Sequence, residues 1–156
     1  MRIGIDPGCS GALVVLTADG TVQDALLMPT FKTGKSSRVN GAALAAFLAK
    51  NTQFDRAGAH AYLESVHAMP KQGVSSVFTF GHAAGVAEGI LQGMGIAYTL
   101  IPPQTWKKRA GLIGTDKDAA RSRAIQLWPA WRALDAKGKG QALADAALIA
   151  KYGEPA

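Results

Sequence analysis

The sequence has little cysteine and little histidine. Cys9 is its one cysteine, and three histidines are spread over 156 residues. A single cysteine cannot form an internal disulfide, and without a cluster of Cys and His residues there is no zinc site to propose. Cys9 itself is more typical of a small residue in a turn than of a nucleophile. The sequence therefore gives no support to a disulfide-stapled or zinc-dependent protein.

Long apolar runs are also missing. No run approaches the roughly 20 residues needed to cross a bilayer. The first residues, from Met1 to Asp6, lack the apolar stretch of a signal peptide. We therefore expect a cytoplasmic protein that has no membrane partner.

Acidic residues are in the minority. Seventeen Lys and Arg stand against eleven Asp and Glu, which gives a formal net charge of +6 and a pI near 9.7. This balance favours a polyanionic partner, and nucleic acid is the first candidate. A small basic protein can also be merely soluble, so the placement of the charge must decide between the two.

The length and the hydrophobic content of 48% predict one domain, residues 1–156, with a single core. Apolar periodicity and turn signals predict strands at 2–6, 11–17, 21–28, 60–64 and 97–101. Helices are predicted at 41–50, 75–94, 115–127 and 141–152, with Thr115 as the cap of the third. The segments 29–38 and 104–114 are rich in basic residues, show no periodicity and are predicted as loops. Three antiparallel strands followed by helix-linked strands predict an α/β fold with a mixed five-stranded sheet and helices on its faces.

Two carboxylates end predicted strands that should be neighbours. Asp6 closes the first strand before Pro7-Gly8, and Glu64 closes the fourth. The crossover between these strands brings the chain back beside the first one, so the two acids should lie side by side. Adjacent carboxylates repel each other unless a cation lies between them, and Mg²⁺ prefers such oxygen ligands.

A third acid, Asp145, interrupts an otherwise apolar helix, where a buried and unpaired carboxylate would be costly. Taken singly, Asp6 could form an Asx turn, Glu64 could be a loop charge and Asp145 could be solvated. Together the three acids predict a site for two metal ions about 4 Å apart, a pair that can drive in-line phosphodiester cleavage.

The ordered set of motifs resembles a known family, the RuvC-like Holliday-junction resolvases (crossover junction endodeoxyribonucleases), in their short bacteriophage form. The resemblance rests on these segments of the sequence: 3–8 with Gly11-Ala12, 63–64, 69–73, 102–107, Asp116-Lys117 with Arg121, and 144–150. It implies a ribonuclease H-like fold, a homodimer, Mg²⁺ that Mn²⁺ can replace, and paired nicks across a four-way DNA junction. It also implies that Lys117 is the catalytic lysine, which would neutralise charge on the phosphate in the transition state.

The chain departs from the family at two positions. The family has a fourth metal-site Asp or His three or four residues before the last acid, where this chain has Ala142 and Gln141. Gln141 can offer a carbonyl oxygen but no charge, so the second ion should bind more weakly if Gln141 replaces that ligand. Cellular members carry a base-stacking aromatic three residues after the Glu, where this chain has His67, which would stack less strongly or is only a loop residue.

Basic residues near the predicted acids are candidates for DNA contacts, because phosphates must approach the metal site there. A solvated basic face explains Arg121 and its neighbour Arg123 equally well. The predicted DNA-binding residues are His67, Lys71, Gln72, Lys107, Lys108 and Arg121.

Gly81, Gly85 and Gly89 recur every four residues in the long predicted helix at 75–94. Each glycine costs a helix about 1 kcal/mol relative to alanine, so close packing should compensate for the loss. The helix could pack closely on its own sheet, or it could form the twofold interface of a dimer, as the resemblance implies.

Three other functions compete with junction cleavage. The chain could bind junctions without cutting them, because the fourth acid is missing. It could also be a less selective DNA or RNA nuclease of the same fold. An actin-like phosphotransferase, whose first strand likewise ends in an Asp, needs about twice this length and is disfavoured.

Overall fold

A five-stranded sheet with helices on both faces forms the centre of the molecule. The structure is a computed structural model that describes residues 1–34, 36–65, 67, 73–116 and 118–154. The strands are β1 (Arg2–Asp6), β2 (Ala12–Leu16), β3 (Val22–Leu27), β4 (Thr30–Thr33), β5 (Ser36–Val39), β6 (His60–Glu64) and β7 (Ala97–Ile101). The helices are α1 (Gly41–Thr52), α2 (Val74–Met94), α3 (Pro103–Arg109), α4 (Ala119–Leu127) and α5 (Lys137–Tyr152), with a short 3₁₀ turn at Arg132–Asp135.

The strand order in the sheet is β3-β2-β1-β6-β7. β1 pairs antiparallel with β2, and β2 with β3, whereas β6 is parallel to both β1 and β7. The predicted mixed five-stranded sheet is therefore confirmed. Ile5 pairs with Leu63 in the centre of the sheet, so the strand ends at Asp6 and Glu64 lie at the same edge.

Helices cover the two faces of the sheet differently. α1 and α2 pack on one face through a core that includes Ile3, Leu44 and Leu91. α5 crosses the other face so closely that a Cβ on Gly4 would overlap the backbone of Ala146 and Ala150. This close approach fixes the position of α5, and hence of Asp145, over the centre of β1.

The prediction of a loop at 29–38 was wrong. These residues form a two-stranded hairpin of β4 and β5, closed at its base by a hydrogen bond from the N–H of Asn40 to the carbonyl of Pro29 (2.7 Å). Every residue of β4 is exposed, so the alternation that marks a half-buried strand is absent. Val39, which is 3% exposed, joins the hairpin to the core.

One helix that was predicted as a loop, and the starts of two others, also differ from the prediction. The segment 104–114 contains α3, a helix of seven residues that is too short to show a periodic pattern. Thr115 does not cap α4, because its hydroxyl donates to the carbonyl of Leu112 and the helix begins at Ala119. α5 begins at Lys137, four residues before the predicted start. The first turn contains two glycines, whose low helix propensity argues against a helix at this point in the sequence.

Candidate metal and nucleic-acid site

The three predicted acids come together at the edge of the sheet where β1 and β6 end. The negative charge of Asp6 raises the pKa of both Glu64 and Asp145, and the charge of Asp145 also raises the pKa of Glu64. These charge effects, together with the pairing of Ile5 with Leu63, indicate that the three carboxylates lie near one another. Two neighbouring strands and α5 thus each contribute one acid to a single cluster.

Asp6 is held by the turn that follows β1. Burial raises its pKa, while the backbone N–H of Gly8 and the charge of Lys107 lower it in part. That N–H donates to Oδ1 of Asp6 at 3.2 Å, which is an Asx turn. A Cβ on Gly11 would lie 2.8 Å from the carboxyl carbon of Asp6, so only glycine leaves room for this side chain.

Glu64 is oriented by a buried indole that the sequence reasoning did not connect with it. Burial raises the pKa of Glu64 to about 7, although a hydrogen bond from the side chain of Trp106 lowers it. The Nε1–H of Trp106, a residue that is 1% exposed, donates to Oε1 of Glu64 at 2.8 Å. Trp106 belongs to the basic segment 104–114 and to the motif 102–107 that carries the resemblance, but nothing in the sequence shows that its N–H faces an acid 42 residues away.

Asp145 is paired with Gln141 one turn earlier on α5. Burial raises the pKa of Asp145 to about 6, and the hydrogen bond from Gln141 opposes this rise. Nε2 of Gln141 donates to Oδ1 of Asp145 at 3.0 Å. The opposite amide orientation would set the carbonyl oxygen of Gln141 against a carboxylate, so this assignment follows from the chemistry of the pair.

The side-chain carbonyl oxygen of Gln141 takes no part in this hydrogen bond. Its Oε1 is buried and accepts no hydrogen bond from any described residue. A buried acceptor without a partner is costly unless an ion, a water or a ligand completes it. Gln141 therefore offers a neutral oxygen donor beside Asp145.

These donors fit a hard divalent cation. Three partly buried carboxylates and an unsatisfied carbonyl oxygen are the oxygen ligands that Mg²⁺ takes, and a cation would offset the burial that raises the pKa values of Glu64 and Asp145. Among the described residues, no three Asp, Glu, His or Cys side chains converge tightly enough to hold one ion together. The arrangement suits ions held by one or two carboxylates each, with water and phosphate completing the shell.

Among the described cations, Lys107 is the one whose charge acts on all three acids. Its charge lowers the pKa of Asp6, Glu64 and Asp145. Its Nζ lies 5.4 Å from the centroid of the Trp106 ring, a cation–π distance. Lys107 is therefore positioned where an incoming phosphate would meet positive charge.

The other predicted DNA-binding residues are placed less uniformly. Lys108 is exposed on α3. Arg121 is largely buried, and its guanidinium donates to the carbonyl of Leu134 (3.3 Å) and to Asp118 (3.3 Å), so much of its donor capacity is used inside the protein. Lys71, Gln72 and Lys117 lie outside the described residues, and their roles stay predictions.

His67 is exposed next to a cavity of about 340 Å³ that opens beside Glu64. Ser65, Phe80 and Leu100 also line this cavity. The hydroxyl of Ser65 is buried and has no hydrogen-bond partner among the described residues. His67 and Glu64 thus line the same cavity, and the base-stacking role of His67 stays a prediction.

The sequence matches no protein-family model. A search of curated proteins also finds no match. Solved structures do resemble the chain. RuvC of Thermus thermophilus in complex with a Holliday junction substrate superposes with a TM-score of 0.59 at 17% identity, covering 95% of this chain and 89% of that one. A second Thermus thermophilus RuvC structure superposes with a TM-score of 0.56 at 13% identity, covering 96% and 92%. This chain therefore has the ribonuclease H-like fold of the RuvC structures.

Proposed function

We propose that the protein is a metal-dependent endonuclease that cleaves four-way or other branched DNA junctions by phosphodiester hydrolysis. The observation that carries the proposal is the cluster of Asp6, Glu64 and Asp145, three partly buried carboxylates of which two have pKa values raised to about 7 and about 6. Metal-assisted phosphoryl chemistry needs such a cluster and no side-chain nucleophile. The likeness to a RuvC bound to a Holliday junction supports branched DNA as the substrate.

Each residue of the cluster has a proposed role. Asp6, Glu64 and Asp145 hold two Mg²⁺ or Mn²⁺ ions, with the carbonyl oxygen of Gln141 as a neutral fourth donor. When bound, such ions would stabilise the negative charge on the attacking water and on the departing 3′-oxygen. Lys107 attracts the scissile phosphate, and Lys117 neutralises charge on it in the transition state. Trp106 positions Glu64 by holding one of its two carboxylate oxygens.

Further DNA contacts are proposed for the residues around this cluster. Lys108 lies on the exposed side of α3, beside the Trp106-Lys107 pair. Three more predicted contacts lie in sequence between Glu64 and Gly73, and Arg121 has a share of its donors left for phosphate. The proposed contacts are His67, Lys71, Gln72, Lys108 and Arg121.

The apolar outer face of α2 supports a homodimer. The sequence predicted no apolar run long enough to cross a bilayer, but α2, with 21 residues, is long and apolar enough by length and composition. Within its apolar 18-residue stretch, 17% is buried. Val74 is 86% exposed and Phe78 is 64% exposed. A Cβ added at Gly81, Gly85 or Gly89 would meet no described residue within 4 Å, so these glycines do not serve packing on the protein's own sheet.

A second copy of the chain is the proposed cover for this face. Twofold symmetry would then set two sites against the two strands that must be cut in a junction. We propose that this dimer acts in the cytoplasm and has no membrane partner. We also propose that the protein is a resolvase of the short phage type.

A second candidate function is junction binding without cleavage. Gln141 favours it, because a neutral amide stands where the resembling family has a charged ligand and the second ion would bind weakly. Such a protein would bind four-way DNA and leave its strands intact.

A cleavage assay separates these functions. Wild-type protein is given a synthetic four-way junction, a Y-fork, a duplex and a single strand, each with Mg²⁺ or Mn²⁺. We expect paired nicks in the junction and little cutting of the duplex. Binding of the junction without nicks under both metals would establish the second candidate, and equal cutting of all four DNAs would establish a less selective nuclease.

A further inference from the structure

The hairpin of β4 and β5 leaves the sheet at the edge where the acids lie. Leu27, the last residue of β3, pairs with Ala12, which in turn pairs with Asp6. The N–H of Met28 then donates to the carbonyl of Gly11 (2.8 Å) in the loop that follows Asp6. The hairpin therefore starts level with the metal site and on the same side of the molecule.

Two further contacts fix the hairpin in this place. Sγ of Cys9 donates to the carbonyl of Ser37 at 3.6 Å, which joins β5 to the turn after β1. Nη1 of Arg38 donates to Nε2 of His82 at 3.2 Å, which joins β5 to α2. Because the hairpin is tied to both the Asp6 turn and α2, its exposed side chains keep a defined position relative to the acids.

The hairpin carries positive charge and an exposed aromatic ring. The sequence has no Asp or Glu between Asp24 and Asp55, whereas this interval includes Lys32 and Arg38 on the hairpin strands. Phe31 is 50% exposed and pairs with Arg38 across the hairpin, so both side chains share one face. Lys32 lies on the other face, where its Nζ donates to the hydroxyl of Ser37 (3.1 Å).

Exposing an aromatic ring to water is unfavourable. A ring on a hairpin that carries a cation on each face suits an unpaired base that has phosphates nearby. Aromatic side chains stack on bases of any sequence, and lysine and arginine bind the backbone that carries them. A continuous duplex keeps its bases stacked, whereas a branch point can expose one. The charge and the aromatic ring of the hairpin therefore match branched nucleic acid better than an uninterrupted duplex.

We propose that the β4–β5 hairpin is a branch-point contact in which Phe31 stacks on an unstacked base on one face of the hairpin and Lys32, on the other face, binds a backbone phosphate. This inference rests on the proposed function, because it names the part of the branched DNA that a second element recognises. Arg38 is a positioning residue. Its hydrogen bond to His82 holds the hairpin against α2, and its positive charge lies on the same face as Phe31.

The test compares two double variants in equilibrium binding. Phe31→Ala/Lys32→Ala removes the proposed contact. Phe54→Ala/Arg56→Ala removes an aromatic ring that is 94% exposed and an exposed arginine just before β6, at the opposite edge of the sheet. Anisotropy is measured with EDTA on a four-way junction and on a duplex of equal length, so that binding is separated from cleavage.

We expect the Phe31 and Lys32 double variant to lose roughly 5- to 150-fold in affinity for the junction and much less for the duplex, as loss of one stacked base predicts. Lys32→Ala alone should lower the slope of log K against log salt by about 1, as loss of one phosphate contact predicts. The Phe54 and Arg56 double variant should match the wild type. Thermal unfolding and Mn²⁺ affinity should be unchanged in both, since these side chains are exposed.

Three results would overturn the inference. The hairpin variant could bind both DNAs as the wild type does, or it could weaken both equally, which would leave only general charge attraction. It could also change the sedimentation of the free protein, which would make the hairpin a subunit contact. A parallel Mg²⁺ reaction separates this inference from the function, because a wild type that binds but never nicks contradicts cleavage while leaving the binding comparison intact.

Discussion

The indole Nε1 of Trp106 donates a 2.8 Å hydrogen bond to Oε1 of Glu64, and this bond joins the first turns of α3 to the end of β6. The bond holds one carboxylate oxygen and stabilises the charged form of a residue whose burial favours the neutral form. It thereby links the packing of a core side chain to the charge state of the proposed metal site.

Trp106→Phe should keep most of the buried ring while removing the N–H donor. The pKa of Glu64 should then rise above about 7, because the hydrogen bond that lowers it is gone. The acidic limb of the pH–rate profile for junction cleavage should move to higher pH, and Mn²⁺ affinity near neutral pH should fall. Trp128→Phe is the control, since its Nε1 donates to the carbonyl of Gly20 at 2.9 Å, away from the acids. Identical pH profiles for the two variants would remove the positioning role of Trp106.

The metal-free protein should become less stable as pH rises from about 5 to about 8. Folding raises the pKa of Glu64 from 4.5 to about 7 and that of Asp145 from 3.8 to about 6. Between the unfolded and folded values the native state binds more protons, so the stability contributed by these two groups is present at low pH and is lost as pH rises through the folded pKa values. Unfolding temperatures in EDTA across this range measure the effect.

Added Mg²⁺ should restore stability mainly at the upper end of that pH range, where protons no longer compete for the carboxylates. Glu64→Gln should flatten the dependence in EDTA, because one of the two titrating groups is gone. A pH dependence that is unchanged in Glu64→Gln would show that other groups cause it.

Gln141→Asp should tighten binding of the second metal ion, because a charged oxygen replaces the unsatisfied carbonyl oxygen. Without metal the same change should destabilise the protein at about pH 8, since it removes the hydrogen bond to Asp145 and adds a like charge. Calorimetric titration with Mn²⁺ measures the affinity. Gln126→Asp on α4, where Gln126 accepts from Arg123, is the control. Unchanged metal affinity in Gln141→Asp would show that Gln141 does not replace a ligand.

Gly85→Leu should produce a folded monomer. A Cβ at this position meets no described residue of the same chain within 4 Å. Because leucine also has a higher helix propensity than glycine, stability should not fall. A bulky side chain should block close approach of a second α2, and single nicks should accumulate instead of paired ones. Sedimentation and the ratio of singly to doubly nicked junction measure this. Gly138→Leu, at another open helical position, should leave both unchanged. A Gly85→Leu dimer with paired nicks would place the interface elsewhere.

The sequence was sufficient for the strands that position the acids. Pro7-Gly8 ends β1 directly after Asp6, and the crossover rule then places the strand of Glu64 beside it. These features depend on short-range signals and on one topological rule. Asp145 could be assigned to a helix, but its approach to the other acids depends on α5 crossing β1 at Gly4, a close contact that no local pattern shows.

Other features depended on contacts between distant parts of the chain. The orientation of the Trp106 indole toward Glu64 is a tertiary contact, and α3 is too short for a periodic pattern. β4 is exposed on both sides, so its pairing with β5 leaves no apolar alternation to read. The glycine positions of α2 were visible in the sequence, but whether they face the protein's own sheet or open space could be decided only in three dimensions.

The most direct test of the central claim is single-turnover cleavage of a four-way junction with Mg²⁺ by the wild type, Asp6→Asn and Asp135→Asn. Asp6 lies in the buried cluster, whereas Asp135 is an exposed acid paired with Arg132 at 2.8 Å. We expect the wild type and Asp135→Asn to cut at the same rate, and Asp6→Asn to fold, bind the junction and cut at least roughly a hundredfold more slowly. Equal cutting by Asp6→Asn and the wild type would contradict the central claim.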